Sequence, residues 1–212
     1  MTVRRICFVG DSMTTGTGDD QFLGWPGRLC QAERVRGHDL THYNLGIRGD
    51  TSVMIARRWR SECEARLPPE YPGALVFAFG VNDTAEENGR LRVDPEESVA
   101  TARTILGEAA RWKPTLMIGP APVDETKMPL SIGPVPRDMR NVRIAKMSRL
   151  LEGVASEVGV PYFDTYTLLA DNPLWKRAIA ASDGVHAIGD GYALMAARIG
   201  AWSGWRGWMD SK

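Results

Sequence analysis

Five short strand-like runs alternate with stretches of helical periodicity along this chain: Ile6-Cys7-Phe8-Val9, His42-Tyr43-Asn44-Leu45, Ala74-Leu75-Val76-Phe77-Ala78, Thr115-Leu116-Met117-Ile118 and Val160-Pro161-Tyr162-Phe163. Strands that are separated by helices cannot pair through tight hairpins, so the alternation predicts an α/β fold around a parallel sheet. The first and third runs carry no polar residue, which is the pattern of strands buried on both faces. Val99, Ala102, Ile105, Leu106, Ala109 and Trp112 fall on one helical face, as do Met147, Leu150, Leu151, Val154 and Val158, and both sets read as helices covering the sheet. A last helix is expected near Gly191 to Trp202. With 212 residues, 43% of them hydrophobic, one domain over 1–212 is the expected organisation.

The first run leads directly into Val9-Gly10-Asp11-Ser12-Met13. Gly10 marks a sharp turn, and Ser12 is thereby set at the carboxyl edge of the sheet, where open α/β sheets bind ligands. Asp11 and Ser12 are equally good caps for a following helix, and this fragment alone does not separate the two roles. A nucleophilic serine needs a base, and the chain has three histidines. His186 lies in Ser182-Asp183-Gly184-Val185-His186, where a tight turn brings the Asp183 carboxylate to Nδ1–H and leaves Nε2 to take the proton of Ser12 Oγ. His38 and His42 flank a strand with no nucleophile beside them and read as surface turn and strand edge. Two loops at strand ends offer donors for a developing oxyanion. In Asn44-Leu45-Gly46-Ile47-Arg48-Gly49-Asp50-Thr51-Ser52, Gly46 is the candidate and Asp50, Thr51 or Ser52 caps the next helix. In Phe79-Gly80-Val81-Asn82-Asp83, the candidate is the Asn82 amide, although Asn-Asp after glycine is also ordinary turn chemistry.

Gly10-Asp11-Ser12-Met13, Gly46, Gly80-Val81-Asn82-Asp83 and Asp183-Gly184-Val185-His186, in that order, resemble the SGNH (GDSL) hydrolases. The resemblance implies a flavodoxin-like three-layer α/β/α sandwich with a five-stranded sheet. It also implies a triad of Ser12, Asp183 and His186, and an oxyanion hole formed by Ser12 N–H, Gly46 and Asn82. Met13 stands where the first motif usually has leucine, and Ala187 follows the histidine where proline is common. The expected reaction is hydrolysis of carboxylic esters or thioesters through an acyl-enzyme, with activity rising with pH as the imidazole loses its proton and with no metal or cofactor. The family's substrates include lipid esters, aryl esters, thioesters and acetylated sugars, and the sequence singles out none of them. An acyltransferase on the same fold, or a carbohydrate-binding relative without turnover, is the alternative.

Several other classes find little support. Lys+Arg and Asp+Glu both number 26, so no net field favours nucleic acid or an anionic membrane. Gly10, Gly16 and Gly18 follow the first strand, but neither G-x-G-x-x-G nor a P-loop is present, which argues against a nucleotide-binding module. No G-x-S-x-G surrounds Ser12, so an α/β-hydrolase nucleophile elbow is not indicated. Cys7, Cys30 and Cys63 are scattered and odd in number, as expected of buried free thiols. No run is long enough to span a bilayer, and Arg4 and Arg5 precede the first strand directly, so a cytoplasmic protein is expected. The proline-rich segment 120–137 is expected to wall the pocket with Met128, Leu130 and Ile132, and the charged segment 84–95 to be a solvated face. Arg48 is expected to pair with Asp50 or Asp83. Trp202, Trp205 and Trp208 are expected to pack against the body, although Gly204 and Gly207 weaken any helix there. The oligomeric state is left open.

Overall fold

A computed structural model describes residues 3–131 and 135–210. Five strands, β1 (Val3–Gly10), β2 (Asp39–Gly46), β3 (Gly73–Ala78), β4 (Thr115–Ile118) and β5 (Tyr162–Phe163), form one all-parallel sheet in the order β2-β1-β3-β4-β5. The order reverses between β1 and β3, which opens a crevice beyond their carboxyl ends. Gly10 pairs with Gly46 on one side and Ala78 on the other. The chain therefore leaves β1, β2 and β3 at one level, and the three loops that follow meet at one edge.

Helix α1 (Ser12–Thr15) starts directly after β1. One face of the sheet is covered by α2 (Gly24–Val35), α8 (Pro173–Ala180), α9 (Gly189–Ala201) and α10 (Ser203–Met209). The other face is covered by α3 (Ser52–Ala56), α4 (Trp59–Glu64), α5 (Pro95–Trp112) and α6 (Asn141–Glu157), while α7 (Thr165–Leu169) follows β5. The period-2 alternation of β1 divides the core. Ile6 and Phe8 point into a cluster with Trp25, Trp175 and Trp205, and Cys7 and Val9 into one with Trp59, Phe77 and Leu106. The Phe8 and Trp25 rings meet edge to face at 5.4 Å, as do Trp59 and Phe77 on the opposite side. All three cysteines are buried and free. Among the described residues no helix is long and apolar enough to cross a membrane.

Several sequence expectations shift in detail. The fifth strand is only two residues long. Pro161 has no N–H to give the ladder, although its carbonyl accepts from Met117 N at 3.0 Å. The segment 84–95 is not simply solvated: Ala85 and Val93 are buried, and Glu86–Glu87 pairs with Arg90–Leu91 in a short antiparallel hairpin. The three tryptophans do lie against the body, Trp202 as the cap of α10 and Trp205 and Trp208 within it, despite Gly204 and Gly207. Trp205 is fully buried, and its indole N–H donates to the buried Glu33 carboxylate at 3.1 Å. Packing and that hydrogen bond override the weak local propensity.

Candidate active site

The turn from β1 into α1 fixes Ser12. Asp11, in extended backbone, caps α1 by accepting from Met13 N at 2.9 Å, and Ser12 is the first residue of the helix. Asp11 thus caps the helix while Ser12 lines the crevice, so capping does not occupy the serine. Ser12 Oγ lies 2.7 Å from His186 Nε2, and His186 Nδ1 lies 2.6 Å from Asp183 Oδ2. A carboxylate on Nδ1 fixes the tautomer with the proton there, so Nε2 is the acceptor facing the serine hydroxyl. Asp183 Oδ1 accepts from the backbone N–H of Val185 at 2.9 Å and of His186 at 2.8 Å. Burial alone would raise this carboxyl, but the ring and backbone hydrogen bonds from His186, with that from Val185, hold it down to about 2.

The histidine loop is held from the other side by the segment that follows β4. Asp124 N donates to Gly184 O at 2.7 Å, and Lys127 Nζ donates to the carbonyls of Ala180 and, at 2.6 Å, Ser182. Trp175 Nε1 donates to Pro122 O at 3.0 Å, tying the same segment to α8.

Asn82, at the start of a short 3-10 turn after β3, points its amide into the crevice and donates from Nδ2 to Asp11 Oδ2 at 3.3 Å. Asp11 is thus shared between the turn that carries Ser12 and the one that carries Asn82. Burial pushes its carboxyl up to about 6, against the lowering effects of the Met13 N–H and of His186. Neighbouring Asp83 is turned away from the crevice, accepting from Ser52 N at 3.0 Å, from Ser52 Oγ and from Ser98 Oγ at 2.9 Å. It fastens the turn after β3 to α3 and α5.

The loop after β2 places its glycines differently from the sequence expectation. Gly46 still belongs to β2, its N–H donates to Asn44 Oδ1 at 3.1 Å, and it does not line the cavity. Its lack of a side chain serves packing, because a Cβ there would press on Thr15 N and lie 2.7 Å from Asp11 O. Gly49 reaches the cavity instead, at φ +81°, a left-handed conformation that favours glycine. Among the described residues no acceptor engages the amide of Gly49 or of Ser12. Thr51 caps α3, as one of the three expected candidates. Gly46 closes β2, whereas Gly49 lies in the turn two positions before the Thr51 cap of α3, and which of the two reaches the cavity depends on where pairing with β1 ends.

A cavity of about 230 Å³ opens over Ser12 and His186. Its walls come from Met13, Val81, Leu130, Met139 and Val185 on the apolar side, and from Arg48 and Arg137 on the polar side. Of the expected wall residues in segment 120–137, Leu130 is there, Met128 packs instead against the small cluster around Val81, and Ile132 lies outside the described residues. Arg137 and Met139 are wall residues that the sequence did not single out. Arg48 pairs with neither Asp50 nor Asp83. The Asp50 carboxylate is taken by Arg58 at 2.7 Å, and Asp83 by its serines. His38 sits 3.6 Å from Glu33, and His42 packs on Phe8, both away from the cavity. Among the described residues no three His, Cys, Asp or Glu side chains gather where they would hold a metal ion.

The chain is similar in fold to a lipase/acylhydrolase from Enterococcus faecalis, with a TM-score of 0.75 and 23% identity over 93% of this chain and 94% of that one. It is also similar to a member of the lipolytic G-D-S-L family from Veillonella parvula, at 0.70 and 20% over 93% and 96%. A third likeness is to an acetylxylan esterase from Geobacillus stearothermophilus, at 0.69 and 20% over 100% and 96%. Among curated proteins none matches the sequence. The sequence model of the GDSL-like lipase/acylhydrolase family matches residues 8–194, a span that runs from β1 through the histidine loop into α9. By that match the chain belongs to the GDSL-like lipase/acylhydrolase family, the SGNH hydrolases, whose activities are of the esterase and lipase type.

Proposed function

We propose that this protein is a serine esterase that removes short acyl groups from a small ester through a covalent acyl-enzyme. The observation that carries the reading is the unbroken relay from Ser12 Oγ to His186 Nε2 at 2.7 Å and from His186 Nδ1 to Asp183 at 2.6 Å, opening onto a single cavity. In the first step His186 takes the proton of Ser12 as Oγ attacks the ester carbonyl, and Asp183 stabilises the imidazolium that forms. The oxyanion is received by Ser12 N–H, Asn82 Nδ2 and Gly49 N–H, with Gly49 in the place expected for Gly46. His186 then returns the proton to the departing alcohol, and water repeats the sequence to free the acid.

The cavity, at about 230 Å³, is below the ~300 Å³ at which pockets for drug-sized ligands begin, which favours an acetyl or other short acyl group over a long chain. Two of the structural relatives are acetylxylan esterases, and the small cavity suits that acyl class in this chain too. Hydrolysis of p-nitrophenyl acetate, butyrate and decanoate by wild type and by Ser12→Ala tests the reading. Acetate is expected to be cleaved best, and the variant to lose at least ~10⁴-fold in kcat, the scale seen when a triad member is removed. Undiminished hydrolysis by Ser12→Ala would overturn the mechanism. A preference for decanoate would overturn the acyl class.

A further inference from the structure

We infer that Arg48 is a specificity residue that binds a carboxylate carried by the ester, so that the preferred substrates are short-acyl esters bearing one negative charge beyond the scissile bond. The inference rests on the esterase reading above and names the substrate class of the same site.

Arg48 and Arg137 both line the cavity, and both flank Gly49: Arg48 precedes it in sequence, and an Arg137 guanidinium nitrogen lies 3.0 Å from where a Gly49 Cβ would stand. Their surroundings differ. Arg137 Nε donates to Glu87 at 2.7 Å, and the same carboxylate oxygen faces Arg92 at 3.1 Å. Arg92 is anchored further by donating to Gly49 O at 2.9 Å. Arg48 has no ion pair or hydrogen bond among the described residues. The carboxylates that its sequence neighbours offer are already committed, Asp50 to Arg58 and Asp83 to Ser52 and Ser98. Asp11, the carboxylate of the lining, is buried and engaged by Met13 N and the Asn82 amide.

Arg48 is exposed and without a counterion among the described residues, and an exposed arginine contributes little to stability. As a recognition group it is well suited. Its planar fork matches the two oxygens of a carboxylate. Arg48 is the guanidinium of the lining that no carboxylate engages among the described residues, and a single fork pairs with one carboxylate. Arg48 stands next to Gly49 in the chain and shares the cavity lining with Ser12 and His186.

The test compares three acetyl esters of para-substituted phenols: 4-acetoxybenzoate, its neutral methyl ester, and 4-acetoxyphenyl phosphate. Each is assayed with wild type, Arg48→Gln and Arg48→Lys, and the readout is the ratio of kcat/KM between charged and neutral ester. Wild type is expected to favour 4-acetoxybenzoate over the methyl ester by about tenfold, the scale of one charge-assisted hydrogen bond, and chiefly through KM. Arg48→Gln should abolish that ratio, and Arg48→Lys should restore part of it. A merely structural arginine would leave the ratio alone, and one that stabilises the oxyanion would slow both esters equally in kcat; either result overturns the inference while the esterase reading stands. Preference for the phosphate over the carboxylate overturns the carboxylate assignment. Labelling of Ser12 by a fluorophosphonate, and its slowing by 4-hydroxybenzoate but not by methyl 4-hydroxybenzoate, gives the same comparison without turnover. If Ser12 is not labelled and no ester is cleaved, the esterase reading and the inference fall together.

Discussion

Asp11 is the residue on which the chemistry and the stability of this protein pull in opposite directions. Its carboxyl is raised from 3.8 to about 6 by burial. A folded state with a raised carboxyl holds a proton that the unfolded chain has released, so between those two values stability falls as pH rises, and above about 6 the full cost is present. A shift of roughly two pH units is worth about 3 kcal/mol. Asp11→Asn keeps an oxygen to cap Met13 N but carries no charge to bury. The variant is expected to unfold at a higher temperature than wild type at pH 8, and to lose that advantage at pH 4, where wild type is already protonated. Thermal unfolding at the two pH values checks the sign. Activity should move the other way, because the carboxylate that orients the Asn82 amide is gone. Asn82→Ala, which removes the amide itself, is expected to lower kcat by about 10²–10³-fold, and hydrolysis of p-nitrophenyl acetate measures both variants.

The elements that hold the site differ in how clearly the sequence announces them. The apolar runs of β1 and β3 were legible because strands buried on both faces have little room for polar residues, and the Asp183-to-His186 turn was legible because three residues is the reach of a carboxylate to its imidazole. The helix α2 was not, since Gly24, Pro26 and Gly27 disguise its start, and it forms because Trp25 and Leu29 are buried against β1 and α9. The choice between Gly46 and Gly49 was hidden for another reason: it depends on where pairing with β1 ends, which is a property of two strands and not of the loop. Gly46→Ala should therefore act on folding and not on the oxyanion. A Cβ against Thr15 N and Asp11 O is expected to cost about 1–3 kcal/mol, the range for overpacked sites, and denaturant unfolding reads it. Lys127 makes a different case, outside the cavity yet bound to two carbonyls of the histidine loop. Lys127→Met should lower kcat by about tenfold with little change in KM, the loss of one charged hydrogen bond applied to the base and not to substrate binding.

On the scale of the whole molecule, two cores on opposite faces of one sheet support the edge at which the loops after β1, β2 and β3 meet. The C-terminal helix belongs to this support. Trp205 fills the space beneath Phe8, and Arg206 joins it in pairing Glu33 at 2.5 Å. Trp205→Ala is expected to destabilise the protein by about 3–5 kcal/mol and to lower Tm by roughly 10 °C, with the KM of the remaining folded enzyme unchanged; calorimetry and initial rates separate the two. The crevice between β1 and β3 has a consequence for how this scaffold can be altered. Because one carboxylate spans the seam, the turn after β1 and the turn after β3 behave as a single inherited unit. Segments at the cavity rim are open to exchange between relatives one at a time, whereas a graft of either inner turn succeeds only when its counterpart travels with it.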